Sequence, residues 1–166
     1  MTGRRAIAIL ARRRHSRVID LPFLGERYSA VEGSGAELNG RRITVNPVSK
    51  VSEAVVAIGD YAVGEKAAQK NSERFAMTER LAAKVQRIRM HGSAAIDLAW
   101  LAAGRVDAVA MLSNKPWDTA AGVIIARAAG ARIVDRDGLS HDTSVNSTVA
   151  AHPALLPTIL ALVSGA

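Results

Sequence analysis

The stretch GSAAIDLAWLAAGRVDAVAMLSNKPWDTAAG, residues 92–122, decides how this chain folds. Ser93 precedes an apolar run with helical spacing, so we predict that it caps a helix, which Gly104 ends. Residues 106–112 predict a strand, and a second helix is predicted from about residue 118 to residue 129. Helix, strand and helix in this order predict helices that pack on a sheet.

Upstream of that stretch, the chain begins with predicted strands. Apolar residues predict short strands at 6–11 and 17–21, on either side of an arginine-rich turn, and another at 27–31. The dipeptide Asn39-Gly40 is the strongest hairpin signal in the chain, because a two-residue turn needs positive φ at both central residues. The apolar run at 54–59 predicts a buried strand.

Helical and strand patterns alternate in the rest of the chain. Apolar spacing, including Phe75, predicts a helix over 72–85 with Ser72 as its N-cap. Three further strands are predicted, at 87–90, 132–135 and 147–151. Pro153 is predicted to open a final helix. The sequence therefore predicts the α/β class, as an α+β sandwich with a mixed β-sheet packed with helices, and one domain over residues 1–166.

Composition limits the function classes. The chain has 166 residues, of which 49% are hydrophobic, and this is enough to build a core. It contains no cysteine, which excludes disulfides and thiolate metal sites and favours a reducing cytoplasm. No apolar run reaches the length that spans a membrane. Residues 12–14 are arginines that interrupt the first apolar run, so we expect a cytoplasmic protein rather than an exported one.

The formal net charge is +7. Basic residues cluster at Arg4, Arg5, Arg12, Arg13, Arg14 and Arg17 and again at Lys84, Arg87 and Arg89. A basic face favours nucleic acid or anionic metabolites as partners, but no aromatic residue alternates with the arginines to stack on bases. We therefore expect no nucleic-acid binding, and a solvated basic face is the simpler interpretation.

Two short stretches could carry chemistry. Asp118 stands where a loop becomes a helix, and small residues follow it, so the helix could lie close to a neighbour. A helix N-terminus attracts anions, and a carboxylate there is useful if Mg²⁺ lies between it and an anionic ligand; the competing interpretation is that Asp118 only caps its helix. The turn Gly92-Ser93-Ala94 could let ligand hydroxyls approach the backbone, or could simply begin a helix.

Other polar residues are interpreted as structural. The four histidines, His15, His91, His141 and His152, lack the spacing of metal ligands, and we expect surface or structural roles for them. The carboxylates of Asp97, Asp107 and Asp135 are expected to face water at helix starts and strand ends.

Together these motifs resemble the inositol monophosphatase family, in the order in which that family has them. The matching segments are Val18-Ile19-Asp20-Leu21-Pro22, Glu26-Arg27-Tyr28, Gly33-Ser34-Gly35-Ala36, Leu38-Asn39-Gly40-Arg41, residues 92–98, residues 102–107, Trp117-Asp118-Thr119-Ala120-Ala121-Gly122, Ala128-Ala129-Gly130-Ala131 and Asp137-Gly138. The resemblance implies hydrolysis of a small phosphate monoester by magnesium-activated water. It also implies that Asp118 binds a magnesium ion and lies near the substrate, that Gly92, Ser93 and Ala94 contact the substrate, and that the protein forms a homo-oligomer.

The chain departs from the family pattern in two ways. The family motif Asp-Pro-Ile-Asp-Gly-Thr and the glutamate-bearing motif before it do not occur, so no complete catalytic set is expected. We expect a truncated form that is inactive or weakly active by itself. Met111 stands where family members that act on inositol phosphates tend to have glutamate, and methionine is a poor acceptor for ring hydroxyls. Histidinol phosphate, a fructose bisphosphate or a nucleotide bisphosphate are alternative substrates, and a non-catalytic module with a basic surface is the alternative function.

Overall fold

The computed structural model describes residues 7–9, 16–31, 33–142 and 145–165. Within these residues the strands form two sheets of five strands each. The first sheet is antiparallel and follows the chain order, with β1 Ile7–Ile9, β2 Ser16–Leu21, β3 Glu26–Val31, β4 Gly35–Leu38 and β5 Arg41–Ile43. The second sheet has the order β7-β6-β8-β10-β9, with β6 Val55–Ile58, β7 Arg87–Arg89, β8 Ala108–Met111, β9 Arg132–Val134 and β10 Thr148–Ala151.

The second sheet is mixed, as the sequence predicts. Strand β6 pairs in parallel with both β7 and β8, whereas β10 pairs antiparallel with β8 and β9. The helices are α1 Ala67–Ala82, α2 Ala94–Ala102, α3 Pro116–Ala128 and α4 Leu156–Ser164, and short 3-10 turns cover Pro22–Leu24 and Val51–Glu53. The sequence predicted most of these strands but did not divide them between two sheets.

The predicted Asn39-Gly40 turn is confirmed as the connection between β4 and β5. Leu38 pairs with Arg41 across the turn, and the φ angles of Asn39 and Gly40 are 50° and 77°. Asn39 does more than turn the chain, because its side chain accepts from the Arg27 N–H at 2.8 Å and donates to the Gly25 carbonyl at 2.8 Å. One asparagine therefore holds two neighbouring turns of the antiparallel sheet together.

The elements stack in four layers. Helices α2 and α3 lie between the two sheets, while α1 and α4 cover the far face of the second sheet. Alternate residues of β6 and β8 separate the two cores: Ala57 and Val109 point to α2 and α3, whereas Val56 and Ala108 point to α1 and α4. Because both faces of the second sheet are buried, its central strands consist of small and branched apolar residues.

The small residues after Asp118 bring α3 against α2, as the sequence predicts. Gly122 is buried, and a Cβ atom added to it would lie 2.7 Å from Cβ and 2.8 Å from Cδ1 of Leu98. Such distances are shorter than any van der Waals contact, so only glycine permits this approach of the two helices.

Two predicted helix starts are wrong. Helix α1 begins at Ala67, so Ser72 lies inside the helix and is not its cap. The reason is the buried Asn71, whose amide accepts from the Ala62 N–H at 2.7 Å and donates to the Ala62 carbonyl at 2.8 Å. This contact with the loop before the helix accounts for the earlier start. Phe75, part of the apolar spacing that predicted the helix, is exposed and contacts the Tyr61 ring.

Helix α4 begins at Leu156 rather than at Pro153. Residues 153–155 form a turn, in which the His152 carbonyl accepts from the N–H groups of Leu155 and Leu156 at 2.9 Å and 3.0 Å. The helix does have a proline in its first turn, as expected, but this proline is Pro157 and not Pro153.

The prediction that Asp107 and Asp135 face water is also wrong, because both are buried. The Asp107 carboxylate accepts from the Val55 N–H at 2.7 Å and from the Asn46 amide at 2.9 Å. The Asp135 carboxylate accepts from the N–H groups of Asp137 and Leu139 at 2.9 Å and 2.8 Å. Buried carboxylates are tolerated when donors satisfy them. Three backbone N–H groups and the Asn46 amide do so here.

We expect Gly122→Ala to lower the free energy of unfolding by about 1–3 kcal/mol, because the new methyl group overlaps Leu98. Helix propensity alone would give the opposite sign, a gain of about 1 kcal/mol. Urea unfolding measures the difference. The control is the double variant with Leu98→Ala, which should lose less stability than the sum of the two single variants; additive losses would show that the two residues do not clash.

Candidate functional site

A cleft of about 1070 Å³ lies at the carboxyl ends of β6, β7 and β8. The chain leaves these parallel strands at Gly59-Asp60, near Gly92, and at Leu112-Ser113. The N-termini of α2 and α3 border the same cleft. Crevices at the carboxyl ends of parallel strands are the usual ligand sites of such sheets, and helix N-termini there favour anions.

The four site residues predicted from sequence line this one cleft: Gly92, Ser93, Ala94 and Asp118. Ser93 is the N-cap of α2, as predicted, and its hydroxyl accepts from the Ile96 N–H at 3.5 Å. Gly92 has a φ of 73°, and a Cβ atom added to it would lie 3.4 Å from Oδ2 of Asp60. The turn thus combines a left-handed backbone with a carboxylate opposite it.

Asp118 does not cap its helix. Lys115 is the N-cap of α3, and Pro116 is the first residue of the helix. Asp118 is the third residue of the helix and lies in its first turn. Its side chain is exposed and has no hydrogen-bond or ion-pair partner among the described residues. The alternative interpretation of Asp118 as a cap is therefore excluded, and its carboxylate is open to the cleft.

The sequence did not predict the basic residues of the cleft, which come from α1 and from the loop before α3. Lys70, Arg74 and Lys115 line it, and Arg74 donates to the Ser113 hydroxyl at 2.6 Å. The acidic residue Glu73 also lines the cleft, but it forms an ion pair with Arg136. Three cations around a concave surface create a field that attracts anions.

His91 and Asp97 form a hydrogen-bonded pair beside the Gly92 turn. Their Nδ1 and Oδ1 atoms are 2.6 Å apart, and Asp97 is only 2% exposed, so the expectation that it faces water is wrong. Burial raises the pKa of the Asp97 carboxyl above its usual range, the hydrogen bond from His91 opposes this, and the carboxylate of Asp60 adds to the increase. The pair fixes the start of α2 from inside, in the structural role expected for His91.

A second network supports the floor of the cleft through Asn114. Thr148 donates its hydroxyl proton to Oδ1 of Asn114 at 3.1 Å, so it accepts at 2.9 Å from Nε2 of His141. This assigns a proton to Nε2 of His141, and its buried Nδ1 has no partner among the described residues. Burial lowers the pKa of His141 below its ordinary 6.5, and the guanidinium of Arg127 lowers it further.

Met111 ends β8 at the floor of the cleft and is 3% exposed. Its side chain packs 3.6 Å from the position of a Cβ atom on Gly59.

Further cleft residues that the sequence did not predict are Asp60, Asn114 and Asn146. Asp60 had a local signal, because it follows the buried apolar run of β6 at the strand end where ligands bind.

The carboxylates of the cleft fit one magnesium ion better than two. Magnesium binds through one or two carboxylates together with substrate phosphates, while hydrolysis with two metals needs a fuller set. Within the described ranges no group of three or more histidine or acidic residues could hold a metal ion. Glu73 and Asp97 have partners of their own. Asp60 and Asp118 are the cleft carboxylates without a hydrogen-bond or ion-pair partner among the described residues.

The layers and the cleft define a class: α+β proteins with an anion-attracting cleft at the carboxyl ends of parallel strands, beside two helix N-termini. A sequence profile of the inositol monophosphatase family matches residues 8–166, and the chain belongs to that family. Proteins of this family are phosphatase-type hydrolases. The resemblance found in the sequence and the predicted fold class are both confirmed.

Relatives and solved structures agree with this membership. The Nus factor SuhB of Vibrio cholerae is 37% identical over 139 residues, which are 84% of this chain and 51% of the relative. The fructose-1,6-bisphosphatase/inositol-1-monophosphatase of Thermotoga maritima is 39% identical over 121 residues, 73% of this chain and 44% of the relative. The chain thus spans about half the length of the curated relatives it matches.

Two solved structures have the same fold. The IMPase of Thermotoga maritima superposes with a TM-score of 0.81 at 31% identity, over 90% of this chain and 56% of that one. The extragenic suppressor protein suhB of Bartonella henselae gives 0.83 at 28% identity, over 90% and 56%. In the described part of the chain, no helix combines the length and apolarity needed to cross a bilayer.

We expect the chain to lose stability in acid partly through His141. Its folded pKa lies below the ordinary value of 6.5, so the stabilisation is complete above that value and is lost as pH falls through the folded pKa. Protonation would place a proton on the unpartnered Nδ1. Urea unfolding between about pH 7.5 and 5 measures the loss, and His141→Gln should flatten the dependence relative to the unsubstituted chain. Equal slopes for both proteins would contradict this assignment.

Proposed function

We propose that this chain forms the substrate-binding and second-metal part of a magnesium-dependent phosphomonoesterase. The observation that carries the proposal is that Asp118, whose carboxylate has no partner among the described residues, lines the same cleft as the Gly92-Ser93-Ala94 turn. Membership of the inositol monophosphatase family supports the reaction class. The cations around the cleft support a phosphorylated substrate of small size.

In the proposed role, Asp118 holds the metal ion and Asp60 adds a second carboxylate oxygen nearby. Magnesium, when bound, supplies a Lewis acid that activates water and neutralises charge on the phosphoryl oxygens. Lys70 and Lys115 attract and retain the phosphate through their charge. The α3 N-terminus adds backbone N–H groups on the same side of the cleft.

The turn that begins α2 is proposed to bind the alcohol part of the substrate. Gly92 has no side chain, so a ligand can approach the backbone there. The N–H groups of Ala94 and Ala95 at the start of α2 have no acceptor among the described residues, whereas the Ile96 and Asp97 N–H groups donate to Ser93. The pair of His91 and Asp97 keeps this turn in place from the buried side. The cleft therefore separates phosphate binding at the α3 end from hydroxyl binding at the α2 end.

Met111 bears on the choice of substrate. A thioether at the floor of the cleft cannot accept the hydrogen bonds of several ring hydroxyls, which disfavours inositol phosphate. One relative is named as a fructose-1,6-bisphosphatase/inositol-1-monophosphatase, so a fructose bisphosphate is a candidate beside histidinol phosphate and a nucleotide bisphosphate. The names of the SuhB relatives as Nus factors keep a non-catalytic interaction role as the second candidate function.

The metal site can be tested on this chain alone with Mn²⁺, a paramagnetic substitute for Mg²⁺. In the presence of inorganic phosphate, we expect Mn²⁺ to broaden the amide signals of Gly92, Ser93 and Asp118 first. Asp118→Asn should weaken Mn²⁺ binding by about tenfold, which is about 1.4 kcal/mol. The matched control is Asp137→Asn, since Asp137 is an exposed carboxylate outside the cleft. Broadening of amide signals outside the cleft instead of those within it, or an equal loss of Mn²⁺ affinity in both variants, would refute the site.

Turnover by the isolated chain is expected to be absent or very slow. Of the four carboxylates that line the cleft, Glu73 and Asp97 have partners. The remaining two, Asp60 and Asp118, are too few for hydrolysis with two metals. The measurement is phosphate release with Mg²⁺ from inositol 1-phosphate, fructose 1,6-bisphosphate and histidinol phosphate. Fast release that Asp118→Asn abolishes would contradict the expected inactivity but support the reaction class. Salt-dependent RNA binding without any metal dependence would instead favour the interaction module.

A further inference from the structure

Trp117 places an exposed indole ring at the cleft. It is the second residue of α3, lines the cleft and is 71% exposed. Single exposed apolar residues are ordinary on a protein surface, but tryptophan is highly buried on average, and this one borders a cavity. Ligand sites combine aromatic side chains with a few polar groups, so the position of this ring bears on which ligand the cleft accepts.

The Trp117 ring is not used to build the fold. Among the described residues it interacts with Lys115, whose Nζ atom lies 5.9 Å from the ring centroid, within the range of cation–π interactions. Its indole N–H has no acceptor in the described part of the chain. Trp100 differs, because it packs against the core between the two sheets and its ring meets the His91 ring at 4.7 Å between centroids. Trp100 is therefore structural, whereas the Trp117 ring is available to a ligand.

A second aromatic ring lines the cleft from the loop after β6. The Thr78 hydroxyl donates to the Arg74 carbonyl at 2.8 Å, so the Tyr61 hydroxyl donates to Thr78 at 3.0 Å. The Tyr61 ring also contacts the Phe75 ring, with 4.7 Å between their centroids. The donor of Tyr61 is thus occupied, and its ring is held in the wall of the cleft.

Aromatic residues are scarce in this chain, which has two each of tryptophan, tyrosine and phenylalanine. Trp117 and Tyr61 nevertheless both line the cleft. Met111 adds a thioether at the floor, and thioethers make favourable contacts with aromatic rings. The cleft therefore combines cations that attract a phosphate with aromatic and thioether surfaces that suit a flat ring.

We propose that Trp117 determines specificity by stacking on a heteroaromatic ring of the substrate. The substrate class is then a phosphate monoester that carries such a ring, as a nucleotide or an imidazole-bearing alcohol phosphate does. This proposal rests on the proposed function: the phosphate lies at Asp118, the next residue in the chain, and the hydroxyls lie at the Gly92 turn. Stacking accepts different bases, because every base has a π face.

The test compares adenosine 5′-monophosphate with ribose 5-phosphate, which has the same sugar and phosphate but no base. Both are titrated with Mg²⁺ present and ionic strength held constant, and the ¹⁵N-labelled chain is followed by NMR. We expect the base to strengthen binding by about tenfold and to shift the indole N–H signal of Trp117 saturably. The Trp100 indole signal is the internal reference and should change much less.

The backbone amide signal of Asp118 separates this inference from the proposed function. If both ligands shift it with equal affinity and the Trp117 indole does not respond, stacking is refuted and the phosphate site stands. If neither ligand shifts it, the proposed function fails and this inference fails with it. A Trp117 response to ribose 5-phosphate as strong as that to the nucleotide would also refute stacking on a ring.

Two substitutions at Trp117 isolate the contribution of the ring. Trp117→Leu keeps an apolar side chain, and it should weaken nucleotide binding by about tenfold while it changes the affinity for ribose 5-phosphate by less than about twofold. Trp117→Phe keeps a ring and should retain most of the affinity for the nucleotide. Equal losses in both variants would show that apolar volume matters rather than stacking, and would refute the proposal. Because Trp117 is exposed, neither substitution removes core packing.

Phe23→Leu is the matched control, because Phe23 is 88% exposed and does not line the cleft. It should change the affinity for either ligand by less than about twofold, and a loss equal to that of Trp117→Leu would refute the site. Histidinol phosphate separates the two kinds of ligand. Affinity close to that of the nucleotide would assign the site to any heteroaromatic ring, whereas much weaker binding would restrict it to larger bases such as adenine.

Discussion

The contact between α2 and α3 at Leu98 and Gly122 is the constraint on which the site depends. Both helices are confined between two sheets, so neither can move away from the other without opening a core. The distance that glycine permits there fixes the spacing between the helix N-termini, and Ser93 and Asp118 are attached to those termini. The geometry of the cleft thus follows from a packing contact inside the protein. The positions of the cleft side chains that face solvent depend on that contact.

Local chemistry in the sequence was sufficient to predict the elements whose signals are strong and self-contained. Asn39-Gly40 forms its turn because few other residues adopt positive φ at two successive positions, and Ser93 caps α2 because its hydroxyl replaces a missing backbone partner. The small residues after Asp118 correctly predicted close helix packing. The family resemblance then predicted that Asp118 lies near a ligand, whereas composition alone favoured the interpretation of Asp118 as a helix cap.

The remaining features depend on side-chain contacts with preceding loops or on pairing between distant strands, and no periodic pattern reveals them. Asn71 extends α1 because it bonds Ala62, and Asp97 is buried because His91 meets it. The division of strands between two sheets is similarly a matter of long-range pairing. Lys70 and Arg74 reach the cleft from a helix of the outer layer, so a search near the motifs could not find them. Only Asp60, directly after a buried strand, had a position that the rules of parallel sheets could have identified.

Asp107 occupies the amino-terminal ends of the parallel strands, opposite the cleft. Its carboxylate joins β6 to the segment that arrives from the antiparallel sheet, and its backbone N–H donates to the Val55 carbonyl. One end of these strands is therefore devoted to architecture and the other to ligands. Because these two roles lie at opposite ends of the strands, substitutions in the loops at the ligand end can change specificity. The Asp107 carboxylate at the other end still holds the strands in their register.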